Sequence, residues 1–104
     1  MGDAMDARVK RMVYAICADY PRRAKLLTIG RLPMETAATY ARMNAAIDNA
    51  IDHNIEQCDR KDMLRALQDR RGYNSGGISH RGRNQFYKIK QKIIEEIAAS
   101  LHLI

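Results

Sequence analysis

Three groups of residues carry chemistry by their type and spacing. Asp48, Asp52 and Glu56 follow one another at steps of four, which puts them on one face of a helix. Such carboxylates can move protons or hold Mg²⁺ when a cleft buries them. No nucleophile, phosphate-binding glycine loop or further ligand type accompanies them, so they read as a solvent-facing stripe that pairs with basic neighbours. A basic patch on a partner, such as RNA polymerase or a second protomer, could also use that stripe. His53 and Cys58 lie five apart, and Cys17, His80 and His102 occur singly. Zinc needs four convergent N or S ligands in tight pairs, and the chain has no CxxC or HxxxH. No metal and no cofactor is expected.

The third group is basic. Residues 60–92 hold ten Lys and Arg and two Asp, a local charge of +8 (10 − 2) in a chain whose total is +6. From 70 to 92 there are seven bases and no acid. A concentrated positive field attracts phosphate backbones through counterion release. The glycine-rich GYNSGG (Gly72 to Gly77) lacks the order of a phosphate-cradling loop, because Ile78 rather than Lys follows its last Gly. It reads as a turn between helices. No Ser-His-Asp or Cys-His arrangement is evident, so neither enzymatic activity nor a small-molecule substrate is expected.

The elements that position these groups are helical. The chain has 104 residues, 46% of them apolar and 29% charged, which suits one soluble domain with one core. Val9, Met12, Val13, Ile16, Cys17 and Tyr20 trace one face of a helix over Asp6–Tyr20, which Pro21 should stop. A short helix around Lys25 ends at Gly30. Ala37, Tyr40, Asn44, Ile47, Ile51 and Ile55 mark a second main helix over Pro33–Cys58. Asp59 is placed to cap a third, with Met63, Leu64 and Leu67 inward and Gly72 at its end. Ser79 caps a fourth over Arg81–Leu101. The six Met are core filler apart from the start residue. The expectation is an all-α domain of four main helices. Residues 1–58 would form an N-terminal pair that could dimerise through the first helix, and 59–104 a helix-turn-helix-like part. The longest apolar segment, Ile93 to Ile104, is interrupted by Glu95 and Glu96, so no membrane span is expected. Two cysteines 41 positions apart and an N-terminus with no apolar signal region suggest a cytoplasmic protein.

On the last helix, Phe86, Ile93, Ile94, Ile97, Leu101 and Ile104 form a core stripe. Opposite lie Arg81, Asn84, Gln85, Lys88, Gln91 and Lys92. Asn, Gln and Arg can read base edges bidentately, and a helix-turn-helix places the N-terminal part of its second helix in the major groove. Arg81, Asn84, Gln85 and Lys88 are therefore expected to face the groove, with Arg65, Arg70, Arg71, Arg83 and Lys92 on phosphates. Lys90 projects into the middle of the apolar stripe, so its amine must snorkel. The connection GYNSGGIS is longer than the three or four residues usual for this motif.

The C-terminal stretch ISHRGRNQFYKIKQKIIEEIAASLHLI resembles the closing helix of phage-encoded transcriptional regulators of the ArpU and RinA kind. Those proteins carry a helix-turn-helix like region 4 of sigma factors. Ile78, Ser79, Phe86, Tyr87, Lys90, Ile93, Ile97, Ala98, Leu101 and Leu103 carry the pattern, and Asn44 to Asp48 is similar to a helix in the same proteins. About four extra residues separate Ser79 from Phe86 here. The resemblance implies double-stranded DNA binding by the helix that starts near Ser79. The resulting expectation is a regulator that works by occupying a promoter or operator, with RNA polymerase as a further partner and a homodimer as its form. The alternative from another class is a helical module that docks an acidic protein on the same basic face. Structured RNA is a third partner that such a helix could meet.

Overall fold

Apolar residues at steps of three and four produce five α-helices, and no strand, among the described residues of the computed structural model, which are 7–56, 59–69 and 83–104. They are α1 (Ala7–Ala18), α2 (Tyr20–Ile29), α3 (Met34–Asn54), α4 (Arg60–Asp69) and α5 (Arg83–Ser100). The chain is all-α as expected, and α2 is the short helix anticipated around Lys25 and ending at Gly30, beside the four main helices. The first helix is shorter than expected: α1 ends at Ala18 rather than Tyr20, and Tyr20 and Pro21 form the first turn of α2, where the missing N–H of Pro21 costs nothing. Gly30 closes α2 in the left-handed conformation (φ 79°), donating its N–H to the Leu26 carbonyl at 3.1 Å. Pro33 precedes α3, and its carbonyl accepts the Ala37 N–H at 2.9 Å. α3 stops at Asn54, short of the expected Cys58, because Ile55 turns extended (φ −146°, ψ 152°).

The long α3 packs against α2 and α5, and α1 packs against α4 and α5. α4 lies chiefly on α1 and α3, so the two helices of the expected helix-turn-helix-like unit meet mainly through shared neighbours. One core unites Val13 and Cys17, Ile47, Ala50 and Ile51, Met63 and Leu67, and Phe86, Ile93, Ile94 and Ile97. Each such side chain contributes about 1.5–3 kcal/mol by leaving water. Val13 and Cys17 of the α1 stripe are buried in this core, and Val9, Ile16 and Tyr20 pack partly buried against it. Ala37 and Tyr40 of the expected α3 stripe are half-buried outside the core, and two further stripe members lie on its outside. Met12 is 44% exposed on the outer side of α1, and Ile104 is 49% exposed because the chain leaves helical geometry before reaching it. Met34, at the first residue of α3, is also exposed rather than core filler.

The exit from α5 is a Schellman motif. Leu103 donates its N–H to Ala98 at 2.8 Å and His102 to Ala99 at 3.1 Å, and His102 sits at φ 60°. Glycine usually occupies that left-handed position, since a Cβ there crowds the following carbonyl. Leu103 folds back onto the core in place of Ile104.

The α1–α2 junction is held by a buried cation. Arg23 is 2% exposed and donates from Nε to Asn44 Oδ1 at 2.8 Å and from Nη2 to the Ile16 carbonyl. Its Nη1 lies 3.4 Å from Asp19 Oδ2, and Asn44 Nδ2 donates to the Tyr20 carbonyl at 3.3 Å. Burial lowers the Arg23 pKa, with the Asp19 charge pulling the other way. The buried Asn44 on the apolar face of α3 is therefore the receiver for this guanidinium.

Candidate nucleic-acid interface

The outer face of α5 exists because its inner face is fixed. Phe86 is fully buried one turn from the helix start, and Tyr87 meets its ring edge-to-face at 5.2 Å between centroids. Ile93, Ile94 and Ile97 continue the buried side. Residues half a turn away must then face outward. Gln85, Lys88 and Lys92 are exposed and Gln91 is half-buried.

Lys88, Gln91 and Lys92 line one open hollow of about 670 Å³ together with Tyr87 and Glu95. Tyr87, 41% exposed, is an aromatic among these cations that the sequence pattern placed on the helix but not on this face. Gln91 is partly engaged, donating from Nε2 to Glu95 Oε2 at 3.1 Å. Arg83 and Asn84 occupy the first turn of α5. Arg65 is exposed on α4, a separate helix seated on α1 and α3. Arg70, Arg71, Ser79 and Arg81 lie outside the described residues, as does the GYNSGG turn.

Lys90 departs from this face. It is 6% exposed, with Nζ 5.2 Å from the Tyr14 ring centroid and 5.9 Å from that of Phe86. The amine does not snorkel to water but lies over two aromatic faces. Burial pushes its pKa below the usual lysine value, and Lys10 of α1 adds repulsion. The adjacent Cys17 thiol is pushed up to about 12 by burial, with Arg23 and Lys90 opposing, which leaves it an inert core group.

The acids near the site are already committed. Arg60, at the first residue of α4, reaches back to α3 with Nη2 2.5 Å from Asp48 Oδ1 and Nε 2.7 Å from Asp52 Oδ1. Burial opposes the charged form of Arg60, but the two carboxylates outweigh it and raise its pKa. Tyr20 donates its hydroxyl to Asp48 at 2.8 Å, and burial followed by that bond raises the phenol pKa. On α5, Glu96 accepts Asn54 Nδ2 at 2.9 Å and lies 3.4 Å from His53 Nδ1. Asp48 and Asp52 of the acidic stripe thus anchor α4 through Arg60, a basic neighbour as anticipated. Among the described residues no cluster of three or more His, Cys, Asp or Glu could hold a metal, and no helix is long and apolar enough to cross a membrane.

Among the described residues, Lys88 and Lys92 form no ion pair. Comparison with known protein families, with curated proteins and with solved structures finds no match to this chain.

Proposed function

We propose that the chain is a DNA-binding protein that presents the outer face of α5 to the duplex and regulates transcription by occupying its site, without chemistry. The observation that carries this reading is the contrast in commitment. Asp48, Asp52, Glu95 and Glu96 accept bonds within the fold, while Lys88 and Lys92 face solvent beside Gln85 and Tyr87. In this reading Asn84 and Gln85 supply the amides for base edges, and Arg81 and Lys88 are further groove contacts. Arg65, Arg70, Arg71, Arg83 and Lys92 supply phosphate contacts. The phage character rests on the C-terminal resemblance alone. A symmetric operator would be met by a homodimer, which is part of this proposal.

Fluorescence anisotropy of the full chain against a random-sequence duplex across a salt series tests the proposal. Five phosphate contacts give a slope near −4.5 in log K against log salt, so affinity falls about 500-fold between 50 and 200 mM. Absence of binding at low salt would defeat it. The rival, docking of an acidic protein, draws on the open hollow around exposed Tyr87, an aromatic flanked by lysines. Tight capture of an acidic helical partner that tolerates moderate salt, with no affinity for DNA, would favour that reading.

A further inference from the structure

On the side of the molecule away from the Lys88 row in sequence, the Schellman turn closes a cleft against α3 and the end of α1. Its volume is about 260 Å³, with Ile16, Met43, Leu101 and Leu103 as apolar walls and Arg42 and His102 among its lining. No lining residue is acidic. Among the described residues, Arg42 and His102 have no carboxylate partner, whereas Arg22, Arg23 and Arg60 each have one. The cleft therefore combines apolar walls with two solvent-exposed hydrogen-donating groups that lack a carboxylate partner among the described residues. His102 holds its place there in a left-handed conformation (φ 60°) that glycine would occupy with less strain.

We infer that this cleft binds a small monocarboxylate with a short apolar tail. The tail would lie against Ile16, Met43, Leu101 and Leu103, and the carboxylate would accept bonds from Arg42 and His102. A guanidinium suits a carboxylate because its forked N–H groups match both oxygens, and a charge-assisted bond of this kind is about twice as strong as a neutral one. The volume equals roughly nine water molecules at their liquid share, which fits a ligand of about eight heavy atoms such as hexanoate. Long-chain acids exceed it. The inference does not depend on DNA binding, since no residue of the α5 outer face takes part.

The test is an NMR titration of the full chain with sodium hexanoate, with hexan-1-ol as the neutral analogue. The expected result is saturable movement of the Arg42, Leu101 and His102 backbone amides, with hexanol about tenfold weaker. Arg42→Gln should weaken hexanoate about tenfold while leaving the remaining spectrum in place. His102→Gly, which relieves backbone strain and so keeps the fold, should weaken it by a smaller factor. Equal binding of hexanol would overturn the proposal, as would shifts that follow the α5 lysines instead. An acetylated peptide ending in leucine that moves these amides where hexanoate does not would assign the cleft to a protein terminus and also overturn it.

Discussion

The α1–α3 region and α5 spend their charges in opposite ways. In the first, Arg23 sits at 2% exposure and ties Asn44, the Ile16 carbonyl and Asp19 together, and Arg60 reaches from α4 to close the same wall on Asp48 and Asp52. On α5, Lys88 and Lys92 stand in solvent. Lys90 is the exception, a cation folded inward over Tyr14 and Phe86. A buried, bonded cation is structural, and losing it leaves its partners stranded. An exposed cation costs the fold almost nothing to keep or lose and is free to act on something else. The comparison separates residues that hold the helices together from residues that the fold leaves available.

The largest effect belongs to Arg23. Arg23→Ala leaves Asn44 Oδ1 and the Ile16 carbonyl without their donor inside the protein and opens a cavity, so stability should fall by about 3 kcal/mol. Urea denaturation followed by circular dichroism measures it. A loss under 1 kcal/mol would mean that this guanidinium is a surface group after all, and the contrast between the two regions would collapse.

Next come the α5 lysines, whose effect should appear in binding instead. Lys88→Glu and Lys92→Glu together should lower duplex affinity by about a hundredfold at moderate salt and flatten the salt slope by about one contact, that of Lys92. The same pair should change stability by no more than about 0.5 kcal/mol. Unchanged affinity would remove this face from the proposed function, and a large loss of stability would make it structural.

The helix content and most of the core were legible in the sequence because they follow from spacing. Ile47, Ile51 and Ile55 or Ile93 and Ile97 can be inside only if the segment is a helix with that face inward. The burial of Arg23 was not legible. In PRRAK it looks like any surface arginine, and only Asn44, a polar residue on an apolar face 21 positions away, signals that something polar waits inside. Lys90 was visible as a cation on the core stripe, but its resting place over two rings depends on how α1 meets α5. The same long-range packing set Arg65 on a helix whose neighbours are α1 and α3, which spacing along one helix cannot reveal. The Arg42 and His102 cleft arises only when the chain end turns back over α3. Neither residue had any local pattern to mark it.

Lys90 sharpens the comparison because it shares burial with Arg23 and lies over the rings of Tyr14 and Phe86. Its pKa is lowered in the folded state, so between that lowered value and 10.5 the unfolded chain binds more protons than the folded one. The lysine's cost to stability is therefore fully present below the folded pKa and is relieved as pH rises toward 10.5. Lys90→Met keeps the length of the side chain and removes the charge. It should stabilise the protein by about 1 kcal/mol at neutral pH and abolish this part of the alkaline rise. Thermal unfolding of both proteins across pH 7 to 10 checks both. If Lys90→Met instead destabilises, the cation–π contacts outweigh desolvation, and the lysine belongs with Arg23 as a structural cation.

The smallest effect should come from His102. At φ 60° its Cβ carries a strain that glycine lacks, so His102→Gly should raise stability by about 0.5–1 kcal/mol despite glycine's greater freedom when unfolded. His102→Asn should fall between the two, since asparagine tolerates the left-handed region better than histidine. Differential scanning calorimetry of the three proteins gives the order directly. A histidine that costs stability where glycine would not, yet lines the cleft with Arg42, is the pattern expected of a side chain kept for what it contacts. If His102→Gly is destabilising, the imidazole itself must pack favourably on the turn, and its place at the cleft would need no ligand to explain it.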